Sequence, residues 1–415
     1  MKTIKFISSI LVGCLFMACN QNDLIPNAGN QVATNHRISI EQAKSNALNF
    51  VNKVNSTTRT RSTKTFEISD VQAISLTQNS TRSAGDSISL DTLLYIVNFA
   101  DSAGFVIAGT DDREDPIYAY IEEGNYSWGD TDMLNSGFAA FLYALLESKS
   151  YDGQNDKEEN YTEYGEGGGG GNHKPSKFEV MSPLLVTKWG QKSPYNKYTN
   201  NFPTGCVATA IAQILSYLEL PQNVQWATND TSGSIIMDWP LIKSECKNNN
   251  GAPQTTTTID QVAHLMHSLG LAFKADYGEG GTYIDSDDAI EYMKKTGYKV
   301  SDLDDYDINS VITNLKAGNK IIFMRGHARY YHVGFVFRKY VDGHAWVVDG
   351  YIDEVKNNKQ SYYIHCNWGW TGSNANNGYF LSSALNAEVP PSYNDNATTR
   401  SSNFRYNLET SVFTK

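Results

Sequence analysis

Cys206 is the residue of this chain best suited to act as a nucleophile. It follows the turn Pro203-Thr204-Gly205 and begins a run of small and apolar residues. The apolar side chains recur at helical spacing, which predicts a helix over 206–219 with a buried face. A thiol at the start of a helix lies near unpaired backbone N–H groups and the positive end of the helix dipole, and both favour the thiolate. The pattern therefore indicates a reactive cysteine, although a lone cysteine is more often a buried structural residue.

A cysteine nucleophile needs a general base, and two Gly-His-Ala triplets offer one downstream. The first contains His327 and the second contains His344. The second leads directly into Trp346-Val347-Val348-Asp349, a run that predicts a buried strand. A histidine at the start of a rigid strand can be held in one orientation, so His344 is the predicted base.

Further side chains could orient the base and stabilise the transition state. The carbonyl of the Asn367 side chain can accept the imidazole N–H, and Trp368 or Trp370 can shield that bond from water. Upstream, Gln191 can donate its amide N–H to a developing oxyanion, beside the backbone N–H of Cys206. Cysteine, histidine and asparagine then occur in the papain-like order along the chain.

Four segments carry a family resemblance, and they occur in family order between residues 184 and 385. They are Trp-x-Gln-x-x-Pro-Tyr-Asn at 189–196, Thr-Gly-Cys-Val-Ala-Thr-Ala-x-Ala-Gln at 204–213, Gly-His-Ala-x-Val-x-Asp-Gly-Tyr at 343–351 and Asn-Trp-Gly-Trp-x-Gly at 367–372. Together they resemble the streptopain family of cysteine endopeptidases, peptidase family C10 of the papain-like superfamily, which includes the interpain-type enzymes.

The resemblance implies a role for each matching residue. Cys206 would be the nucleophile, His344 the general base and Gln191 an oxyanion donor, while Asn367 with Trp368 or Trp370 would orient the histidine. It also implies an α+β fold, in which a papain-like catalytic domain follows a small α+β propeptide domain that inhibits it. Substrates would be proteins or peptides, and no cofactor would be needed. Cys366, beside Asn367, departs from the aliphatic residue expected there and is interpreted as a small apolar strand residue.

The chain divides at a change in composition. Residues 36–150 predict a small α+β unit, with a helix beginning after Ser39, a strand pair at 93–99 and 104–108, and a helix around 138–146. Residues 151–177 contain five consecutive glycines and predict an exposed linker. Residues 178–415 form the predicted catalytic domain, with helices near 259–270 and 286–296 and strands from 320 to 380. By resemblance the linker is the site of activating cleavage; a spacer between permanently joined domains is the alternative.

The N-terminus is typical of an exported bacterial protein. Lys2 and Lys5 precede an apolar run that is too short to anchor stably in a bilayer, so residues 1–18 are predicted to be a signal peptide. Cys19 follows Ala18 as in a lipoprotein cleavage site, and residues 19–35 would be a flexible tether. The predicted location is the outer membrane or cell surface through a lipid on Cys19, or the medium after processing. Ordinary signal-peptide cleavage is the alternative.

Composition excludes several classes of function. The 415-residue chain has a net charge of −11 and no basic stripe, so nucleic-acid binding is not expected. His264 and His267 share a helix face but lack further ligands, which predicts packing histidines rather than a metal site. The body contains Cys206, Cys246 and Cys366, an odd number that indicates no disulfide framework, with a Cys206–Cys246 or Cys246–Cys366 bridge as the alternative.

Two other functions remain open at this point. A transferase or amidase could use the same cysteine, histidine and asparagine, although the Gln191 segment and the propeptide argue against it. A non-catalytic surface-binding lipoprotein is a further alternative, which the intact Cys206 and His344 argue against.

Overall fold

A computed structural model of the chain describes residues 36–58, 64–75, 92–128, 136–152, 175–333, 337–385 and 406–415. The predicted signal peptide, the tether and most of the predicted linker lie outside these residues. The helices are α1 (Ile40–Thr58), α2 (Ser136–Asp152), α3 (Cys206–Leu218), α4 (Trp239–Asn248), α5 (Thr256–Ala272), α6 (Ser286–Lys295), α7 (Ile308–Lys316) and α8 (Ser382–Leu385). None of the helices described here is long and apolar enough to cross a membrane.

Most of the strands form one large sheet, and the others form two hairpins. The strands are β1 (Ile68–Ser75), β2 (Thr92–Phe99), β3 (Phe105–Ala108), β4 (Ile117–Ile121), β5 (Lys177–Met181), β6 (Asn223–Ala227), β7 (Ser232–Ile236), β8 (Asp276–Gly278), β9 (Gly281–Tyr283), β10 (Lys299–Val300), β11 (Asp304–Asp305), β12 (Lys320–Val333), β13 (Phe337–Lys356), β14 (Lys359–Asn367), β15 (Gly378–Leu381) and β16 (Tyr406–Thr414). The strand order in the large sheet is β1-β2-β3-β4-β15-β14-β13-β12-β16-β10, while β6–β7 and β8–β9 are separate hairpins.

The large sheet joins the two halves of the chain. Strand β4 of the N-terminal half pairs antiparallel with β15 of the C-terminal half, with Tyr120 opposite Tyr379 and Ala119 opposite Phe380. All four residues are buried. The backbone hydrogen bonds of β15 are therefore completed by a strand that precedes the predicted linker.

Residues 321–324 of β12 and 345–348 of β13 are buried on both faces, because their side chains alternate between two cores. Met324 and Trp346 face the core shared with the N-terminal half. Phe323 and Val347 face a second core built around α3. The strand that carries His344 is therefore fixed from both sides.

Helix α3 lies at the centre of the second core. Apart from the partly exposed Cys206 and Tyr217, its side chains are buried. A helix that is apolar almost all round requires such surroundings. Cys206 is thus held at the end of an immobilised element.

The predicted elements are found where the patterns place them. The helices expected near 206–219, 259–270 and 286–296 correspond to α3, α5 and α6, and the strand pair corresponds to β2 and β3. Ser39 caps α1 as expected, because its Oγ accepts the backbone N–H of Gln42 at 3.2 Å. Helices α4 and α7 were not predicted. Cys206, Cys246 and Cys366 are all reduced, so the alternative disulfide bridges are wrong.

Candidate active site

The nucleophile position is built on a glycine turn. Gly205 has φ +89°, and a Cβ on it would lie 3.2 Å from Ile284 Cδ1 and 3.3 Å from Thr282 Cγ2. The positive φ favours glycine at this position, and a Cβ would force Thr282 of β9 and Ile284 to move by a few tenths of an ångström. The hydroxyl of Thr282 in turn donates to the carbonyl of Pro203. The β8–β9 hairpin thus supports the turn that presents Cys206.

The thiol of Cys206 is held mainly in its neutral form. Although the residue is partly exposed, burial of the sulfur raises the pKa of Cys206, and the backbone N–H groups of Ala345, Val207 and Cys206 itself only partly oppose this. The helix position alone favours the thiolate, as the sequence indicated. In the full chain, desolvation outweighs that contribution.

His344 is buried and bound to the loop that follows β14. Its Nε2 lies 2.9 Å from the backbone carbonyl of Trp368. Because a carbonyl only accepts, Nε2 carries the proton and Nδ1 carries the lone pair of the neutral ring. Burial lowers the pKa of His344 to about 4, against the smaller opposing effect of that hydrogen bond. The imidazole is therefore neutral at physiological pH.

The two Gly-His-Ala triplets face each other across β12 and β13. Gly326 pairs with His344, and His327 pairs with Gly343. Both histidines line the cavity of about 700 Å³ that also contains Cys206 and the Gly280–Gly281 turn of the β8–β9 hairpin. Ala345, the residue after His344, is one of the three residues whose backbone N–H contacts the Cys206 thiol. This contact links His344 more directly to the thiol.

Asn367 is placed differently from the sequence-based expectation. Its Nδ2 donates to the carbonyl of Thr187 at 2.9 Å, and its Oδ1 accepts from Gln213 Nε2 at 3.1 Å and from the Gly369 N–H at 3.3 Å. The bond to the His344 ring comes instead from the backbone carbonyl of the next residue, Trp368. Because every residue has a backbone carbonyl, the sequence does not show which residue accepts this bond.

The tryptophans and Gln191 lie around this arrangement. The ring of Trp368 is fully buried, and its centroid lies 6.4 Å from the centroid of the His344 ring. The Trp346 ring stacks on the His344 ring at a centroid distance of 6.0 Å. Trp370 is half-buried and packs against the core shared with the N-terminal half. The carbonyl of Gln191 accepts the N–H of Thr204 at 2.9 Å, which ties its loop to the turn before Cys206.

Comparison with known proteins identifies the two halves. The sequence profile of the Peptidase C10 family matches residues 189–380, and that of the Spi protease inhibitor family matches residues 35–148. Over residues 189–380 this chain matches the C10 family of cysteine endopeptidases. Of the three functions left open by the sequence, this match supports the endopeptidase.

Individual relatives agree with this assignment. Streptopain from Streptococcus pyogenes is 24% identical over 332 residues, which cover 71% of this chain and 74% of streptopain. The thiol protease/hemagglutinin PrtT of Porphyromonas gingivalis is 23% identical over 71% of this chain and 34% of its own length. A fragment of prointerpain A from Prevotella intermedia has the same fold, with 22% identity, a TM-score of 0.50, and coverage of 82% of this chain and 98% of the fragment.

The propeptide domain packs against Trp368, the residue whose backbone carbonyl binds His344. A Cβ on Gly137 of α2 would lie 2.2 Å from Cε3 of Trp368. The backbone of α2 therefore lies directly on the indole whose residue binds His344. On the same interface, Lys188 pairs with Glu123 at 2.6 Å, next to buried Trp189.

A charge cluster, in which Asp349 and His365 are buried and Glu122 is partly exposed, connects the propeptide domain to the strands of the site. His365 Nδ1 lies 2.6 Å from Asp349 and its Nε2 lies 3.2 Å from Glu122 of the propeptide domain. Burial alone would lower the pKa of His365. The charge and hydrogen bond of Asp349, and the bond to Glu122, raise it to about 9. His365 is therefore cationic at neutral pH and bridges the two carboxylates.

We expect the uncleaved protein to lose stability as pH rises through about 9, because His365 then loses its proton. A histidine with a raised pKa stabilises the fold fully below its unfolded pKa of about 6.5 and no longer once it is neutral. The increase in the pKa of His365 corresponds to a contribution on the order of 3 kcal/mol to the free energy of unfolding. Thermal melting of the Cys206→Ala protein between pH 6 and 10 measures it. Glu122→Gln should lower stability near pH 7 and reduce the pH dependence; an unchanged profile would contradict the bridge.

Sequence reasoning missed Gln213, which is fully buried on α3. In the sequence it stands at the end of the 204–213 motif. A polar side chain within an otherwise apolar, buried helix is itself a signal, since buried polar groups are paired.

Proposed function

We propose that the chain is a zymogen in which Cys206 is the nucleophile and His344 the general base for peptide-bond hydrolysis. The observation that carries this proposal is that both side chains line one cavity, with the Ala345 N–H contacting the thiol. Gln191 would donate to the oxyanion, and the Trp368 carbonyl, held in place by Asn367, would fix the histidine ring. Trp370 would support the same loop.

The proposed reaction is acyl transfer through a thioester. The Cys206 thiol gives its proton to His344, and the resulting thiolate attacks the peptide carbonyl carbon. The oxyanion is stabilised by the Cys206 backbone N–H and Gln191. When the C–N bond breaks, the His344 imidazolium gives its proton to the departing amine. His344 then takes a proton from water, whose oxygen attacks the thioester, and the thiolate is released with the carboxylic acid.

Latency follows from the protonation states of the pair. A neutral thiol and an imidazole with a pKa of about 4 do not form the thiolate–imidazolium pair that the reaction needs. The packing of α2 on Trp368 supports a role of the propeptide domain in keeping His344 buried. We infer that departure of this domain admits water and restores the proton affinity of the histidine.

Two segments outside the described residues complete the proposal. Helix α2 ends at Asp152 and β5 begins at Lys177, and we propose that activating cleavage occurs within the glycine-rich segment between them. We also propose that the protein is exported and lipidated on Cys19, or secreted after processing. Incorporation of labelled palmitate that is lost in Cys19→Ala would test the lipidation, and an unlabelled wild-type protein would refute it.

The proposed function is tested by casein hydrolysis in the presence of a thiol, before and after proteolytic cleavage of the linker. An epoxysuccinyl inhibitor of cysteine peptidases should stop the activity and add one inhibitor mass to the peptide that contains Cys206. Cleaved protein that neither hydrolyses casein nor reacts with the inhibitor would refute it, as would labelling of Cys246 or Cys366 instead.

Gln191→Ala should lower kcat of the activated enzyme ~100–1000-fold, which is the usual effect of removing one oxyanion donor. KM should change far less, because the donor acts mainly in the transition state. Steady-state kinetics with a fluorogenic peptide measure both. Lys192→Ala, at the exposed neighbouring position, is the matched control. Near-normal turnover of Gln191→Ala would remove Gln191 from the site.

A further inference from the structure

A pair of buried side-chain amides lies behind the active site. Gln213 Nε2 donates to Asn367 Oδ1 at 3.1 Å, and Asn367 Nδ2 approaches Gln213 Oε1 at 3.3 Å. The two amides therefore face each other head to tail. Gln213 is 0% exposed and Asn367 is 2% exposed, so water does not compete for these bonds.

Both amides also bind the segment that leads to Gln191. The N–H of Trp189 donates to Gln213 Oε1 at 3.0 Å, and the Thr187 hydroxyl donates to the same oxygen at 3.2 Å. Asn367 Nδ2 donates to the Thr187 carbonyl at 2.9 Å. Gln213 thus accepts from two residues of this segment while donating to Asn367 at the end of β14.

The positions of the partners connect the amide pair to three parts of the site. Gln213 lies seven residues after Cys206, which is about two helical turns and the same helix face. Trp189 lies two residues before Gln191, and Asn367 directly precedes Trp368, whose carbonyl binds His344. A shift of the amide pair would move the oxyanion segment and the histidine loop relative to α3.

We propose that Gln213 is a positioning residue of this peptidase. Together with Asn367, it holds the Gln191 segment and the Trp368 loop in place relative to the helix that begins at Cys206. The inference rests on the proposed roles of these residues in catalysis. It assigns Asn367 a function through Gln213 and the Trp368 carbonyl rather than through its own contact with the histidine ring. Misplacement of reacting groups by about 1 Å can lower the rate ~100-fold, so the amide pair is expected to affect kcat.

The test compares Gln213→Met with wild type and with Ser216→Ala. Methionine keeps the length of the side chain and removes its hydrogen bonds. Ser216 is buried on the same helix and donates to the Gln213 carbonyl within that helix at 2.6 Å, so its loss should leave kcat nearly unchanged. Each full-length variant is cleaved with resin-bound wild-type enzyme, which is then removed. Gln213→Met should lower kcat about 10- to 100-fold with little change in KM.

Gln213→Glu gives a readout that a purely structural role would not change. A buried glutamic acid has a raised pKa, and in its protonated form it can donate to Asn367 Oδ1 as the amide does. When it ionises, two oxygens face each other. The kcat of this variant relative to wild type should therefore recover as pH falls, whereas the relative kcat of Gln213→Met should not depend on pH. If Gln213→Met does not fold, this variant decides the question.

A double variant tests whether the two amides act together. Gln213→Met combined with Asn367→Ala should be no slower than the slower single variant, because the pair is already broken. Additive losses, a normal kcat in Gln213→Met, or a flat relative pH profile in Gln213→Glu would overturn the inference while the wild type remains active. An inactive wild type would overturn the proposed function and this inference together.

Discussion

Replacing Cys206 with alanine is expected to abolish peptide hydrolysis and leave the fold intact. Loss of a catalytic nucleophile typically lowers turnover by at least about 1000-fold. The thiol is small, partly exposed and lines a cavity, so its removal should not disturb the core around α3. Activity of the cleaved protein and its thermal transition are the two measurements.

His344→Ala should be as inactive as Cys206→Ala, and His327→Ala provides a closely matched control. The two histidines occur in identical triplets, lie diagonally across one strand pair and line the same cavity. The triplet of His344 contains Ala345, whose backbone N–H contacts the Cys206 thiol. An inactive His327→Ala with an active His344→Ala would reverse the assignment of the base.

The second large effect should be activation by removal of the propeptide domain. Raising the pKa of His344 from about 4 to its ordinary value near 6.5 increases its proton affinity roughly 300-fold. We therefore expect the uncleaved protein to hydrolyse peptides on the order of 100-fold more slowly than the mature enzyme. Peptidase rates before and after linker cleavage measure this ratio. Addition of the 36–150 fragment in trans to the mature enzyme should reverse the activation.

Cleavage alone should give incomplete activation. The propeptide domain stays attached through the β4–β15 backbone pairing, the Glu122–His365 bridge and the Glu123–Lys188 pair. Activity should consequently rise further when the cleaved protein is diluted. Cys206→Ala should remain uncut when made alone and be trimmed when mixed with active enzyme. Equal rates before and after cleavage, without inhibition by the fragment, would contradict the latency proposal.

The sequence is sufficient to predict the elements that depend on side-chain type and on the spacing of apolar residues. The apolar spacing after Cys206 predicted α3, and the β-branched run after His344 predicted the strand that carries it. The four short motifs predicted a C10 peptidase, and the family profile confirms this over residues 189–380. Each of these signals is local, so it can be read without knowing what packs against the element.

The remaining features depend on contacts between distant segments. The acceptor for His344 is the carbonyl of Trp368, and every residue has a carbonyl, so nothing in the sequence singles it out. The neutral state of Cys206 and His344 results from burial, which reverses the effect of the helix terminus. The bridge from Glu122 to His365 joins residues that are far apart in the chain and on opposite sides of the linker.

The position of β16 has a consequence for when the enzyme can form. This strand comes after every other described strand in the chain, yet it lies inside the sheet, between β12 and β10, with Phe413 fully buried. The pairing of β12 with β13 therefore lacks its outer neighbour until residues 406–414 have been synthesised. Long-range strand pairing of this kind is slow and late in folding. The cavity that contains Cys206 is consequently completed only after the whole propeptide domain has been synthesised.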